Sequence, residues 1–531
     1  MPSDERPAVS GSDGFEPTLK LHRISWIFVA AHHIKQFVFA LVAAALVGSN
    51  RDAGLWWPLW VVVPLVAAAV WHQWVFRYGF SDRGLVIHEG LFFRTVRTVD
   101  YERIENVDTQ RTVLHRLLGV AEVRVETSSG GKPEALIRVL SVADVARMRE
   151  RIFERRDAGR AATGDGDSQA AAEHETLLEL PPIELVRYGL IDNRGMLVVA
   201  AVVGVLVQSG YFGDMQERGP PPWLGALPWE SLAELGAARP VALALLVLVA
   251  LIVTTRVLSV LVALVTLYGF RLTRTGEDLH TRFGLLTRMS LTLRRRRIQA
   301  AHQTATLLHR LFERVSLRVD LAGGAGPAGG QESPGQRTHR ELWLAPLCAP
   351  DDAARLISAA LPQVRLDGLE WRALAPRARR RIFRMMTGIW LVVAPLPAVS
   401  VLDGWWALAV VLGPLPLFFV HATLYTRHTG WALDDDFFAL RRGWLTRKLS
   451  VTPRNRIQSV RLTESPFDRR HDMASIEVDH AGAAAVSHRL VLRYLPRDDA
   501  ERLAEALYRS NVGDEPLAAR ERFEAPGSSS S

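Results

Sequence analysis

Arginine is the residue type whose abundance and placement in this chain point most directly to chemistry. Its planar guanidinium group binds phosphate through two hydrogen bonds at once, and each basic side chain near an anionic membrane surface contributes about 1 kcal/mol of attraction. The candidates for contact with lipid headgroups are Arg94, Arg97, Arg103, Arg294, Arg295, Arg296, Arg297, Arg441, Arg442, Arg447, Arg454 and Arg456. A surface position beside a buried isoleucine is the alternative explanation for Arg103, Arg297 and Arg456.

Metal and acid–base chemistry have less support in the sequence. His115 and His309 recur at one position of a repeat, but neither has a second histidine or a cysteine at ligand spacing, so a structural or surface role is predicted. Cys348 is the single cysteine, which excludes intramolecular disulfide bonds. No nucleophile–base pair or cofactor-binding glycine loop is recognised, so we expect no catalytic residue, no metal and no cofactor. The chain is predicted not to be an enzyme.

The candidate arginines belong to a module that occurs three times. Gly90, Gly284 and Gly443 each lie 14 residues before an isoleucine, and the next steps, to a His or Asp and then to an apolar residue, are 11 and 8 residues in every copy. Such agreement without a gap indicates one structural unit built three times. The three glycines are predicted to occupy turns with positive φ.

A pair of apolar stretches precedes each copy of the module. The stretches are 37–47, 55–76, 195–212, 241–267, 386–402 and 405–424. Because about 20 apolar residues cross the hydrocarbon core of a bilayer as a helix, the pattern predicts three transmembrane hairpins. The connections inside the hairpins carry only Arg51, Arg218 and Arg239 of 64 Lys and Arg residues. The positive-inside rule therefore predicts a multi-pass protein of the cell (cytoplasmic) membrane with both termini and all three modules in the cytoplasm.

One charged residue lies in the middle of an apolar stretch. Arg256 costs about 2.5–3.5 kcal/mol at the centre of a span on insertion scales. Either the span is shifted and the side chain reaches the interface, or Arg256 pairs with polar groups inside the helix bundle. The second alternative would mark a functional site.

Each module is predicted to consist of short strands closed by one helix. Four segments of the first copy are rich in Val, Ile, Phe and Thr and are predicted strands: 85–88, 92–99, 121–127 and 136–140. The closing helices, each with an aspartate in the first turn, are predicted over 142–156, 350–361 and 496–510. The fold class is α-helical membrane hairpins plus α+β modules, each a small curved antiparallel sheet with a C-terminal helix.

Three segments of the first copy resemble the bacterial pleckstrin-homology-like membrane protein family. They are Tyr78-Gly79-Phe80, then GLFFRTVRTVDYERIENVD from Gly90, and LHRLLGVAEVRVET from Leu114. The resemblance covers most of residues 20–510 and is weakest in the third copy, where Asp468 replaces the histidine. It implies three pleckstrin-homology-like (PH-like) domains, each a bent antiparallel sheet closed by a C-terminal helix. It brings no catalytic residues, and lipid or protein binding is the function it implies.

The predicted organisation alternates membrane and soluble segments. The segments are a disordered N-terminus (1–18), hairpin 1 (19–77), PH-like domain 1 (78–156), a flexible linker (157–176), hairpin 2 (177–267), PH-like domain 2 (268–361), hairpin 3 (362–424), PH-like domain 3 (425–510) and a disordered tail (511–531).

The sequence thus predicts a non-enzymatic integral membrane protein whose cytoplasmic PH-like domains bind anionic lipid headgroups or membrane-protein partners, in a scaffold or envelope role. Membrane lipids are the expected partners, with another membrane protein or a second copy as alternatives. Nucleic acid is not expected, because no aromatic stacking platform accompanies the net charge of +8. A transporter or channel component, for example one that confers resistance to membrane-active agents, is the alternative from a different class.

Overall fold

The computed structural model describes residues 19–20, 25, 67, 71, 74–81, 84–89, 95–127, 135–162, 174–208, 239–322, 342–395, 404–480 and 490–512. Hairpin 1 therefore lies almost entirely outside the described residues, as do Arg94, Gly90 and both predicted disordered termini.

The first repeat contains seven strands and a long closing helix. Its elements are β1 Leu19–Lys20, β2 Arg77–Phe80, β3 Gly84–Glu89, β4 Thr95–Asp100, β5 Ile104–Arg111, α1 Val113–Leu117, β6 Val120–Thr127, β7 Ala135–Ser141 and α2 Val142–Ala162. Buried apolar side chains of the strands, such as Leu85 and Val123, pack with Met148 and Ile152 of α2 in one core.

The second repeat has the same order, with long apolar helices after its first strand. Its elements are β8 His174–Glu179, α3 Pro182–Ile191, α4 Arg194–Gln208, α5 Pro240–Leu267, β9 Arg271–Thr275, β10 Asp278–Phe283, β11 Arg288–Arg294, β12 Ile298–Ala305, α6 Leu307–Leu311, β13 Val315–Leu321, β14 Leu342–Cys348 and α7 Pro350–Ala360.

The third repeat follows the same plan. Its elements are β15 Arg372–Ala373, α8 Ala378–Val393, α9 Gly404–Leu412, α10 Leu415–His428, β16 Gly430–Leu433, β17 Phe437–Arg442, β18 Arg447–Pro453, β19 Ile457–Thr463, α11 Pro466–Arg469, β20 Met473–His480, β21 Leu490–Pro496 and α12 Arg497–Val512. In all three repeats a 3-10 turn separates the fourth strand from the fifth, and it ends at the arginine before the repeated isoleucine: Arg103, Arg297 and Arg456.

Among the described residues, two helical segments are long and apolar enough to cross a membrane. They are Pro240–Leu267 and Leu408–His428. A third span is possible by length and composition if Pro182–Ile191 and Arg194–Val207, which are bent by 58° at a short break, are taken together. The predicted spans 241–267 and 405–424 therefore correspond to apolar helices, whereas 195–212 begins at the bend.

The first strand of each repeat precedes the apolar helices and pairs with the strand that follows them. Glu179 at the end of β8 lies opposite Arg271 at the start of β9, and Ala373 of β15 lies opposite Gly430 of β16. The predicted organisation had placed 174–179 in the linker and hairpin, since so short a strand has no recognisable period. Because the two strands are neighbours, the helical segment between them leaves and returns at one place.

Within the described parts of the chain, the strands form four antiparallel sheets that do not follow the repeat boundaries. Their orders are β1-β2-β3-β4, then β7-β6-β5-β11-β10-β9-β8, then β14-β13-β12-β18-β17-β16-β15, and finally β19-β20-β21. Each seven-stranded sheet therefore joins the last three strands of one repeat to the first four strands of the next.

The chain divides into two compact units. Unit 1 comprises 1–276 and 280–292, and unit 2 comprises 277–279 and 293–531. The division falls within the second repeat, close to the end of β11. The predicted domain boundaries remain a prediction, and the described strands of successive repeats pair with each other.

Candidate functional site

Unit 2 contains a cleft of about 830 Å³ beside the C-terminal end of α10. Its walls come from α6 and the residues after it, the start of α7, and the turn between β17 and β18. The lining residues are Gln303, Ala305, Arg310, Glu313, Arg314, Val315, Ala349, Pro350, Asp351, Arg427, His428, Arg441, Arg442, Gly443, Arg447, Lys448 and Leu449. We call this the basic cleft.

The charge of the basic cleft is strongly positive. Its basic side chains are Arg310, Arg314, Arg427, Arg441, Arg442, Arg447 and Lys448, against the two carboxylates of Glu313 and Asp351. An excess of guanidinium groups around one concavity is the arrangement that binds phosphate and similar anions, since several charge-assisted hydrogen bonds converge on one ligand.

Local structure holds the guanidinium groups around the cleft. Gly443 has a φ of 84°, so the turn between β17 and β18 adopts a conformation that an L side chain rarely occupies. Arg441 lies with its guanidinium carbon 4.5 Å from the ring centroid of Trp371, a distance typical of a cation–π contact. Arg310 donates to the carbonyl oxygen of Leu445 at 3.4 Å. The contacts of Arg310 and Arg441 thus help to hold the walls of the cleft in place.

The cleft lies at the C-terminal end of an apolar helix. Leu408–His428 is one of the two segments that can span a membrane, and Arg427 and His428 at its end both line the cleft. The indole N–H of Trp444, in the adjoining turn, donates to His421 Nδ1 at 3.0 Å. Tryptophan and arginine at the end of a membrane helix are typical of the interfacial layer.

Three of the sequence-predicted arginines come together here, namely Arg441, Arg442 and Arg447. Sequence reasoning missed Arg310, Arg314, Arg427, Lys448 and His428. One signal was available, because Arg310 is the arginine of the repeated Leu-His-Arg motif and has Arg116 as its counterpart. Its approach to a turn 135 residues later, however, follows from sheet pairing between repeats.

Two of the three arginines that end the 3-10 turns bind backbone carbonyl oxygens. Arg297 donates from Nε and one terminal nitrogen to the carbonyl oxygen of Ala322, at 3.1 and 2.6 Å. Arg456 donates to the carbonyl oxygen of Arg296. In unit 1, Arg103 is exposed and lies 3.5 Å from Asp100. These contacts correspond to the structural alternative considered for the Arg-Ile pairs.

The remaining predicted arginines lie outside the basic cleft. Arg454 donates to the carbonyl oxygen of Ala506 in α12 at 2.6 Å. Arg296 lies 3.7 Å from Glu277, and neither Arg294 nor Arg295 lines the cleft. Arg97, on β4 in unit 1, is exposed.

Arg256 contacts the break between α3 and α4. Its guanidinium donates to the carbonyl oxygens of Leu190 at 3.0 Å and Asp192 at 3.2 Å. The bend leaves these carbonyls without helical partners, and a charged donor satisfies them inside the bundle. These contacts match the second alternative raised from the sequence, in which Arg256 pairs with polar groups inside the helix bundle.

His115 and His309 are buried at equivalent positions. The Nδ1 atom of His309 lies 2.8 Å from the hydroxyl of Thr306, which caps α6, and its Nε2 atom lies 2.7 Å from the hydroxyl of Ser316. His115 contacts the hydroxyl of Thr112 in the same way. Both histidines therefore stabilise a helix start, as the structural prediction expected.

A different pair of histidines meets a carboxylate in unit 2. One carboxylate oxygen of Asp320 lies 3.0 Å from His302 Nε2 and 3.1 Å from His480 Nε2. Nothing in the sequence pointed to this cluster, because the repeat equivalents of His302 are Asp108 and Arg461 and the three residues share no motif spacing.

The described architecture is that of a protein with three antiparallel-sheet modules and apolar helices inserted after the first strand of the second and third. Models of the bacterial PH domain family match residues 27–156, 225–358 and 382–511, so the chain belongs to that family. The sequence is 22% identical to the UPF0699 transmembrane protein YdbT of Bacillus subtilis (strain 168), over 91% of this chain and 96% of the relative. No solved structure matches.

Proposed function

We propose that this protein is a non-enzymatic membrane protein whose PH-like repeats bind anionic lipid headgroups on the cytoplasmic face of the cell membrane, and that the basic cleft is the binding site. The observation that carries the proposal is the convergence of seven basic side chains around a cleft that adjoins the end of an apolar, membrane-length helix. A headgroup in the same leaflet would lie next to these side chains.

Two features support the orientation. The strands on either side of each described helical segment pair with each other, which is the arrangement that an even number of crossings by each segment requires. The basic residues Arg377, Arg379 and Arg380 stand at the start of α8, on the side to which the positive-inside rule assigns the cytoplasm.

The match to a transmembrane protein supports the membrane location. The name of that relative describes no ligand, so the choice of lipid over protein as the partner rests on the charge and position of the cleft.

A lipid-affinity measurement tests the proposal directly. The full chain, purified in a neutral detergent, is titrated with dihexanoyl phosphatidylglycerol and with dihexanoyl phosphatidylcholine. Binding of the anionic lipid should exceed that of the neutral lipid. The triple variant Arg441→Gln, Arg442→Gln, Arg447→Gln should lose about two orders of magnitude of this affinity, at about 1 kcal/mol for each basic residue. The loss should shrink as salt is raised.

The matched control removes the same charge elsewhere. Arg147, Arg355 and Arg502 are exposed, and each forms an ion pair with an aspartate three residues before it in its own helix. Their replacement by Gln should leave the affinity nearly unchanged. Equal binding of both lipids, or an equal loss in both triple variants, would remove the basic cleft as the site.

A transporter or channel component is the second candidate. It is favoured by the bent pair α3–α4 and by Arg256, which binds carbonyls at the bend, because broken helices with freed carbonyls often form ion or substrate sites. Ion flux into proteoliposomes, compared between the native chain and Arg256→Gln, separates the two candidates. Flux that depends on Arg256 would favour transport.

A further inference from the structure

Successive repeats are joined by the same backbone pairing. Strand β5 of the first repeat pairs with β11 of the second, with Gln110 opposite Met289 and Thr109 opposite Ser290. Strand β12 of the second repeat pairs with β18 of the third, with Thr304 opposite Lys448 and Gln303 opposite Leu449. Thus the fifth strand of one repeat always pairs with the fourth strand of the next.

The two junctions also share one register. In the repeat alignment, Gln110 is equivalent to Thr304, and Met289 is equivalent to Lys448, so the same pair of positions meets at each junction. The junction is therefore a property of the repeat itself, since it forms with different side chains each time.

The two halves of one further junction remain unpaired among the described strands. The fourth strand of the first repeat, β4, is the last strand of its sheet, and the fifth strand of the third repeat, β19, is the first of its sheet. Among the described strands, none pairs with the outer edge of either.

The exposed fractions of residues in β4 and β19 show which of them a partner strand would cover. In β12 the residues Gln299 and Ala300 are 4% and 0% exposed, whereas their equivalents in β19, Gln458 and Ser459, are exposed. Val96 of β4 is 58% exposed and Leu462 of β19 is 38% exposed. An open strand edge with apolar side chains is a template for pairing with another strand.

We propose that β19 of one chain pairs with β4 of a second copy, so that the protein assembles head to tail through a third version of its own internal junction. The common register places Thr463 opposite Thr95, Leu462 opposite Val96 and Val460 opposite Thr98. The two edges differ from each other, so the contact is heterologous and each added chain leaves one edge of each kind open.

A side-chain contact at the internal junctions extends the argument. Arg116 donates to the carbonyl oxygen of Leu285 at 3.0 Å, and its equivalent Arg310 donates to that of Leu445 at 3.4 Å. The third equivalent, Arg469, lies beside β19 in α11 and is exposed.

The same register places Arg97 opposite Arg461. Arginines directly opposite each other weaken cross-strand pairing, but the first internal junction accommodates such a pair in Arg111 and Arg288. At the Arg461 position the first repeat has Asp108, whose carboxylate accepts a hydrogen bond from the Thr292 N–H across the junction at 3.3 Å. Arg461→Glu should therefore tighten the association, by about three- to tenfold.

Disulfide trapping tests the register in full-length protein. Two differently tagged chains, one with Val96→Cys and one with Leu462→Cys, are expressed together and oxidised in native membranes. A covalent dimer carrying both tags is expected, and a single chain with both substitutions should give a ladder. Because Cys348 is buried, it should contribute little background cross-linking.

The control pairs Val96→Cys with Val460→Cys, which lies on the same face two residues out of register. We expect at least about tenfold less cross-linking from this pair, because a disulfide requires Cα atoms within about 7 Å. Equal cross-linking by both pairs, or none by either while the variants remain folded by circular dichroism, would overturn the proposal.

A second inference concerns the cluster of His302, Asp320 and His480, which come from three different strands. Their ligand atoms all lie within 4.8 Å of one another, and the side chains of His302 and Asp320 are 12% and 11% exposed. Zinc bonds of about 2.0–2.1 Å in a tetrahedral site would separate ligand atoms by about 3.3 Å. The observed 3.0 and 3.1 Å need only a slight expansion.

The surroundings of His302 also suit a ligand. Its Nδ1 atom lies 2.8 Å from the hydroxyl of Ser450, which can accept a hydrogen bond from Nδ1–H and leave Nε2 free to bind a metal. We infer that two imidazoles and one carboxylate here bind a divalent transition ion such as Zn²⁺, across the junction of the second and third repeats.

Calorimetry on the chelator-treated full chain in detergent tests this site. One Zn²⁺ per chain should bind and Mg²⁺ should not, and Co²⁺ should give the visible absorption of a tetrahedral nitrogen and oxygen site. Asp320→Asn should weaken Zn²⁺ binding at least about tenfold, whereas His471→Asn should not. Unchanged binding in a folded Asp320→Asn protein, or no binding by the native chain, would leave a hydrogen-bonded triad only.

Discussion

At the scale of single residues, Cys348 reports directly on folding. Burial in β14, with a smaller effect of Asp352, raises the pKa of its thiol to about 12. Because the thiolate is the reactive form, Cys348 should not react with Ellman's reagent in the native protein at about pH 8. One thiol per chain should react after denaturation. An Arg147→Cys variant, exposed on α2, is the positive control, and rapid reaction of native Cys348 would contradict its burial.

The raised pKa of Cys348 also sets the sign of a pH dependence. The unfolded thiol ionises near 9.0 and the folded thiol near 12, so the unfolded chain releases this proton first as pH rises. Its contribution to stability is complete below pH 9.0 and is lost toward pH 12, by about 1.4 kcal/mol per pH unit. Melting temperatures of the native chain and Cys348→Ala should therefore converge above pH 9.0. A constant difference would exclude the shift.

The arginines show what sequence can predict about individual residues. Their number and types predicted an anion-binding surface, and three of them line the basic cleft. Arg297 recurs in the repeats, and Arg454 lies in a cluster of arginines, for a different reason. Arg297 binds the carbonyl oxygen of Ala322, and Arg454 binds that of Ala506 in α12. A guanidinium bonded to a carbonyl and one facing an anion look alike in sequence.

At the scale of elements, glycines set how closely α3 and α4 approach α5. A Cβ atom at Gly195 would overlap the carbonyl oxygen of Thr255, and the Gly195 N–H donates to Ser259 Oγ at 2.8 Å. Gly195→Ala should therefore push the helices apart and lower the melting temperature, at a cost of about 1–3 kcal/mol.

Gly204 in the same helix provides the control for this packing. No described residue lies within 4 Å of a Cβ atom placed there, so Gly204→Ala should be neutral or stabilise the helix by about 0.5–1 kcal/mol. Thermal unfolding in detergent compares the two variants. A Gly195→Ala protein as stable as Gly204→Ala would show that α4 does not pack on α5 as described.

Element prediction succeeded where a segment buries one face. The closing helices were predicted over 142–156, 350–361 and 496–510, and the structure has Val142–Ala162, Pro350–Ala360 and Arg497–Val512. Strand β5, with the sequence IENVDTQR, was missed. Its polar residues give no strand signal, because backbone pairing with β11 of the next repeat, rather than side-chain burial alone, holds it in the sheet.

At the scale of the whole molecule, the repeats are not independent folding units. A chain that ends at residue 361 would keep β12 but lose its partner β18, exposing Ala300 and Ala301 at an open edge. We expect this truncation to give far less folded, detergent-soluble protein than the full chain. A chain that ends at residue 512 keeps every described strand and should behave like the full chain. Equal behaviour of both would mean that each repeat folds alone.

The sequence could predict three copies but not how they are joined. Repeated side chains such as Ile104, Ile298 and Ile457 mark the core of each copy, and all three are buried. The junctions use backbone N–H and C=O groups, which every residue carries, so Gln110 and Thr304 occupy the same junction position without sharing a side chain. The basic cleft combines side chains of two repeats and depends on that junction.

The orientation of the whole molecule in the membrane is open to a direct test. Because β8 pairs with β9 and β15 with β16, the strands of these repeats should lie on one side and the connections inside the hairpins on the other. The proposed orientation places the strands in the cytoplasm. In intact cells, a membrane-impermeant maleimide should therefore label Glu230→Cys, in the connection of hairpin 2, and should not label Arg355→Cys, which is exposed on α7.

Lysis distinguishes a cytoplasmic position from an inaccessible one. After lysis, Arg355→Cys should label as fully as Glu230→Cys, while Cys348 in the unsubstituted chain should remain unlabelled because it is buried. Labelling of Arg355→Cys from outside intact cells would invert the topology. The basic cleft would then face the outer leaflet, where anionic lipid on the cytoplasmic side could not reach Arg441, Arg442 or Arg447 and the proposed function would fail on geometry alone.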